Sequence, residues 1–293
     1  MKTEIPAGNR KKTMTIETWK KESERELEEL YPPEEARSIT KILVEAVTGL
    51  DKAAQVLSKH NTIDKLNLTV LNDAMTRLRN HEPLQYVLGQ AWFYGLDLHV
   101  MPGVLIPRRE TEELVDWVVQ YCKPGIRVLD IGTGSGCIPV AVKTVCPDSK
   151  ITAWDLQQKA VEVTQKNARK YGLDIKTEKQ DIFSASKHPG RWDIIVSNPP
   201  YVTNAEKSLM QPNVLDYEPD TALFVEDTNP LLYYKTIAGF ALNHLAECGL
   251  LFFEINEHYP EQILNLLQEA GFAETELRRD MQGKPRMVKA VVT

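Results

Sequence analysis

Several familiar signals are missing from this chain. Its 293 residues hold four cysteines, Cys122, Cys137, Cys146 and Cys248, and no two form a CxxC pair. That argues against a disulfide framework or a thiolate metal knuckle and fits a reducing compartment. The six histidines form no HExxH pattern, so no metal site is expected. No apolar run reaches the roughly 20 residues needed to span a bilayer. The first residues are polar and lack the apolar core of a signal peptide. A basic excess is missing too. The net charge is −6, whereas a general phosphate-backbone binder carries surplus lysine and arginine. The expectation is therefore a cytoplasmic, soluble protein. With 42% hydrophobic and 26% charged residues, it can bury one or two ordinary cores.

What is present falls into blocks. Residues 1–13 read as a flexible basic tail. Residues 14–83 show only helical patterns: 16–30, a segment after Pro32-Pro33 with Ile39, Ile42, Leu43, Ala46 and Val47 at helical spacing, 51–60 and 64–79. Gly49 suits a helix C-cap. Residues 84–105 turn aromatic and glycine-punctuated, which predicts a β-hairpin connector. From 106 to 293 strands and helices alternate. Strands are expected at 127–131, 150–154, 175–179, 193–196 and 250–255, and helices at 136–145, 156–171 and 231–246. That is an α/β pattern with a mostly parallel sheet. The last two strand patterns, 273–277 and 287–292, predict an antiparallel hairpin at the sheet edge. The region 202–229 shows no clear structure, and long irregular loops are often functional.

Val128-Leu129-Asp130-Ile131-Gly132-Thr133-Gly134-Ser135-Gly136 is a strand running into a glycine turn. Glycines permit the tight turn and a close approach of backbone to ligand. The helix start beyond offers N–H groups to a carboxylate or phosphate. Asp155 follows the next strand, where a doubly wound fold places an acid against ribose hydroxyls. The dinucleotide fingerprint is GxGxxG, and this loop is GxGxG. The pattern resembles the nucleoside-binding motif of S-adenosylmethionine-dependent methyltransferases. That resemblance implies that Gly132, Thr133, Gly134, Ser135 and Gly136 hold the methionine end and Asp155 the ribose. It also implies that Asp181 reaches the adenine while Ile182 packs on its face.

Asn198-Pro199-Pro200-Tyr201 follows the apolar strand pattern 192–197. It therefore sits past a strand's carboxyl end, where open α/β sheets bind ligands. The group suits a flat NH2. An amide or arylamine nitrogen is a poor nucleophile, and its hydrogens become more acidic as the methyl transfers. Acceptors aimed at those hydrogens bind the transition state better than the ground state. The Asn198 side-chain oxygen and the Pro199 carbonyl are the candidate acceptors, held by proline's restricted geometry. The Tyr201 ring can cover the amide and exclude water. Asn198, Pro199 and Tyr201 are the expected catalytic residues, Pro200 joins them in substrate binding, and Asn198 also borders the cofactor. These four residues alone do not separate glutamine from adenine.

The chain resembles the HemK/PrmC family of protein-(glutamine-N5) methyltransferases over nearly its whole length. Besides the two loops, the resemblance is carried by Pro83-Leu84-Gln85-Tyr86-Val87-Leu88-Gly89 and Leu105-Ile106-Pro107-Arg108-Arg109-Glu110-Thr111-Glu112. Tyr217-Glu218-Pro219, Ala222-Leu223 and Tyr233-Tyr234 add to it. It implies a Rossmann-like methyltransferase sheet with a small all-helical N-terminal domain that helps hold the partner. It implies S-adenosylmethionine as donor, and as substrate the Gly-Gly-Gln glutamine of class-1 peptide chain release factors, in support of translation termination. A monomer is expected. The net charge and the lack of a target-recognition domain weigh against the alternative, an N6-adenine or other nucleic-acid methyltransferase. Two positions depart from the family pattern. Arg109 stands where proline is usual, and Ile182 where an aromatic is common.

Overall fold

The computed structural model describes residues 14–293, so the tail expected at 1–13 lies outside the described residues. The chain divides into two compact units, one ending at Leu88 and the other running from Gly89 to Thr293. The first is helical: α1 (Ile16–Leu27), α2 (Pro33–Thr48), α3 (Lys52–Leu57), α4 (Lys65–Arg79) and α5 (Leu84–Leu88). The starts and stops follow local chemistry. Thr15, Asp51 and Asp64 cap α1, α3 and α4 with side-chain oxygens, Pro33 opens α2, and Gly49 ends it at φ 73°. Trp19, Leu27, Leu43, Leu71 and Leu78 form its core. The guanidinium of Arg77 on α4 donates to the carbonyls of Tyr86 and Val87, which ties α5 down.

The second unit opens with the hairpin β1 (Gln90–Phe93) and β2 (Leu96–His99). Then come α6 (Glu110–Val119), β3 (Arg127–Ile131), α7 (Cys137–Val145), β4 (Lys150–Asp155), α8 (Gln158–Lys170), β5 (Ile175–Lys179) and β6 (Trp192–Ser197). After β6 lie β7 (Val202–Thr203), α9 (Pro212–Leu215), α10 (Asp220–Leu223) and β8 (Phe224–Val225). The chain ends with α11 (Leu232–His244), β9 (Leu245–Glu254), α12 (Pro260–Ala270), β10 (Glu274–Arg279) and β11 (Pro285–Val291). Among the described residues no helix is long and apolar enough to cross a membrane.

Seven strands form one sheet in the order β10-β11-β9-β6-β3-β4-β5. Strands β9, β6, β3, β4 and β5 run parallel, and β11 is antiparallel to both β9 and β10. The C-terminal hairpin thus closes the sheet edge. Buried residues cover both faces. Trp117, Val140 and Phe252 belong to one core, and Trp154, Tyr234 and Phe253 to the other. The hairpin β1–β2 packs Phe93, Leu96 and Leu98 into the first of these cores, and α8 anchors it. Tyr171 accepts from the Asp97 N–H, and buried Asn167 bonds both backbone groups of His99.

The chain leaves β3 outward through β4 and β5, then returns to β6 on the other side of β3. The carboxyl ends of β3 and β6 therefore flank a topological switch point, the crevice where such sheets hold ligands.

Candidate active site

The glycine loop leaves β3 at this crevice. Gly132, Gly134 and Gly136 all have positive φ, at 77°, 57° and 78°. The three serve different ends. A Cβ on Gly132 or Gly134 would meet nothing within 4 Å, so both backbones border open space. A Cβ on Gly136 would lie 2.8 Å from the Thr164 methyl, so this glycine lets the loop seat on α8. From the same helix Thr164 donates to the Gly134 carbonyl and Asn167 to the Ser135 carbonyl. The Asp155 carboxylate accepts from the Gly134 N–H at 2.9 Å and from the Gln157 N–H at 2.8 Å. Burial nonetheless raises its pKa.

A cleft of about 1120 Å³, counting its open mouth, runs along this edge. All five loop residues from Gly132 to Gly136 except the last line it, with Asp155, Asp181, Ile182, Asn198, Pro199 and Pro200. Gly136 stands behind as support. Asp181 has a second task, because it caps the short 3-10 helix Ile182–Lys187 by accepting from the Phe183 N–H. Two aromatic residues that sequence reasoning missed also line the cleft. The rings of Phe183 and Tyr233 meet edge to face at 5.4 Å, next to Ile182. An aromatic at 183 was legible, but its pairing with the helix after residue 229 was not.

Asn198, Pro199, Leu105, Arg108 and Ala222 also border a smaller pocket of about 290 Å³, which Tyr201, Val202 and Leu223 complete. Asn198 and Pro199 thus form a wall shared by both spaces. The amide nitrogen of Asn198 donates to Thr111 at 3.2 Å, and the Thr111 hydroxyl donates to buried Glu254 at 2.6 Å. Tyr201 donates to the same carboxylate at 3.0 Å. Burial keeps the Tyr201 phenol protonated well above its ordinary range. Burial also raises Glu254, opposed by these two hydroxyls and by the charge of Arg286.

The region 202–229 is not an irregular loop. Parallel β7 and β8 pair within it, and Thr203 and Glu206 form a capping box. Buried Glu218 accepts from the Ile106 N–H and from Arg108 at 2.7 Å. Arg108 and Glu218 therefore form an ion pair. The basic residues near the C-terminus are also paired. Arg286 bonds Asp280 and Glu257, Lys284 bonds Glu257, and Lys289 bonds Glu276.

Comparison with known proteins gives the family. Residues 18–89 match the PrmC N-terminal domain, and residues 112–215 match the methyltransferase small domain. The release factor glutamine methyltransferase of Bacteroides thetaiotaomicron is 39% identical over 265 residues, 90% of this chain and 95% of that protein. The enzyme of the same name from Flavobacterium psychrophilum is 37% identical over 94% of this chain and 99% of its own length. This chain belongs to the release factor glutamine methyltransferase family. A T. thermophilus 16S rRNA N2 G1207 methyltransferase in complex with AdoMet and guanosine shares the fold. It superposes with a TM-score of 0.51 at 19% identity, over 70% of this chain and 50% of that one.

The family and fold imply S-adenosylmethionine as methyl donor. The residues present fit it. Gly132 and Gly134 leave an open cradle that any Cβ would invade. Beneath the loop, both carboxylate oxygens of Asp130 and the Thr133 hydroxyl are buried without a hydrogen-bond partner among the described residues. Burial pushes Asp130 up to about 7, the nearby Thr133 hydroxyl lowers it without reaching hydrogen-bond geometry, and Asp155 raises it further. A buried acid in want of a partner suits a cationic ligand above it. Arg109, at the departure from the family pattern, has a φ of −64°, one that proline would also adopt.

Proposed function

We propose that this protein transfers a methyl group from S-adenosylmethionine to the side-chain amide nitrogen of the Gly-Gly-Gln glutamine in a class-1 peptide chain release factor. The observation that carries the reading is the shared wall. Asn198 and Pro199 border both the large cleft and the small pocket, so a donor on one side can meet an amide on the other. When bound, S-adenosylmethionine supplies a methyl group already activated on a sulfonium.

In this reading Gly132, Thr133, Gly134 and Ser135 hold the methionine end, with Gly136 seating the loop. Asp155 keeps acceptor capacity for ribose hydroxyls beyond its two backbone bonds. Asp181 and Ile182 border the adenine, flanked by Phe183 and Tyr233. The Asn198 oxygen and the Pro199 carbonyl accept the two amide hydrogens, and Pro200 shapes the approach. Tyr201 walls the small pocket against water. These groups align donor and acceptor and stabilise the positive charge that develops on nitrogen, which is discharged when one amide hydrogen leaves as a proton to solvent after the methyl bonds, so catalysis rests on positioning and electrostatics. The protein acts as a cytoplasmic monomer in translation termination, and nucleic acid is not its substrate.

Labelled S-adenosylmethionine incubated with a release factor tests this. Label is expected on the wild-type factor and absent when the Gly-Gly-Gln glutamine is replaced. Label on nucleic acid alone would overturn the reading.

A further inference from the structure

Asn198 and Tyr201 both lead to one buried carboxylate outside their motif. Glu254 ends β9, the strand beside β6. The register that pairs Ser197 with Phe253 brings it next to Asn198. Thr111, in the first turn of α6, lies between Asn198 and Glu254 and is also buried. The three elements meet only in the folded chain, since Thr111 and Glu254 are 143 residues apart in sequence.

A carboxamide has nearly the same shape when its oxygen and nitrogen are exchanged, so its direction must come from its partners. Thr111 owns one hydroxyl proton. An ionised carboxylate can only accept, so that proton goes to Glu254 at 2.6 Å. The Thr111 oxygen then has only lone pairs to offer Asn198. Asn198 must meet it with NH2, and its oxygen falls on the opposite side. Reversal would set two acceptors against each other and turn a donor toward the incoming amide.

We propose that Glu254 and Thr111 are positioning residues that lock the Asn198 side chain with its oxygen outward, as acceptor for the substrate amide. This rests on the substrate-binding role given to Asn198 above. The same carboxylate accepts a hydrogen bond from the Tyr201 hydroxyl, so one acid outside the motif sets both of its ends. Burial raises the Glu254 pKa; the hydrogen bonds from Thr111 and Tyr201 and the charge of Arg286 oppose it and favour the ionised form that this arrangement requires.

Thr111→Val keeps the shape and removes the hydroxyl. It is expected to lower kcat about 100-fold while changing cofactor affinity and the KM for release factor less than about three-fold. Thr111→Ser restores the hydroxyl and should recover kcat to within about five-fold of wild type. Equal losses in Ser and Val, or unchanged kcat in Val, would overturn the proposal. A second readout needs no substrate. In protein labelled with 15N, the Asn198 side-chain amide signal is identified by its loss in Asn198→Asp. It should shift in Thr111→Val and stay near its wild-type position in Thr111→Ser. An unshifted signal in Thr111→Val would sink the proposal. A wild-type enzyme that leaves the release factor unlabelled would refute the substrate reading, while the amide spectrum would still decide how Asn198 is held.

Discussion

The loop after β3 and the loop after β6 face each other across the switch point, yet they are built from different material. The first presents backbone. Its glycines border open space, and its support comes from α8, through Thr164 and Asn167, and from Asp155. It also leaves a buried acid, Asp130, unpartnered beneath it. The second presents side chains, and each polar one is tied down. Asn198 leads through Thr111 to Glu254, and Tyr201 reaches Glu254 directly. The difference matches the two tasks. A large, multiply charged donor is met by many N–H groups and a close backbone. A single neutral amide needs a few acceptors held in one direction.

The comparison breaks most sharply at Asn198. Asn198→Ala removes an acceptor aimed at the reacting nitrogen and should lower kcat by about 10³ while leaving cofactor affinity within a few-fold. Titration of cofactor by calorimetry, set beside single-turnover methyl transfer, checks both halves. A matching loss in cofactor affinity would mean that the second loop is also a cofactor clamp.

Gly136→Ala should show the reverse. The new Cβ would sit 2.8 Å from Thr164, in a backbone with φ 78°. Strain of that kind costs about 1–3 kcal/mol, and it should appear in urea unfolding and in cofactor affinity together. Gly134→Ala has the positive φ but no clash, so its stability loss should be the smaller, about 1 kcal/mol. Its cofactor affinity should still fall. Equal stability losses at the two positions would erase the distinction between a seating glycine and a cradle glycine.

Both loops were legible in the sequence because each is a contiguous run after an apolar strand pattern. Their supports were not. Thr111 and Glu254 belong to separate elements, and the first turn of α6, Glu110-Thr111-Glu112-Glu113, looks in sequence like a charged surface stretch. The signal for Glu254 was present all the same. An acid closing the apolar run Leu250-Leu251-Phe252-Phe253 is a charge that burial must answer. Helix α12 has clear marks in the sequence, with Pro260 at its start and Gly271 at its end. The region 202–229 looked irregular because its elements are two to six residues long, too short for periodicity to register. Glu218 shows what holds such a segment: one buried carboxylate bonded to Arg108 and to the Ile106 backbone. The family resemblance reached the same residues as a pattern, without the contact that explains them.

The gentlest test of the comparison lies at Asp130. Its folded pKa of about 7 stands above the ordinary 3.8, chiefly through burial. Between those two values the folded chain holds a proton that the unfolded chain has lost. Stability without cofactor should therefore fall as pH rises from about 4 to about 7 and level off above that. Asp130→Asn removes this dependence. Urea unfolding at pH 5 and pH 8 should show a smaller drop for the variant than for wild type, and at pH 8 the variant should be the more stable. Cofactor binding should move the other way. A cationic ligand above the loop favours the ionised acid, so wild-type affinity should rise with pH through about 7, and Asp130→Asn should bind more weakly with a flatter profile. A variant that gained stability and kept full affinity would show that the unpartnered acid is an accident of packing. Loss of affinity with gain of stability would mark it as strain held in the first loop for the sake of the ligand, a feature that the fully tied second loop does not share.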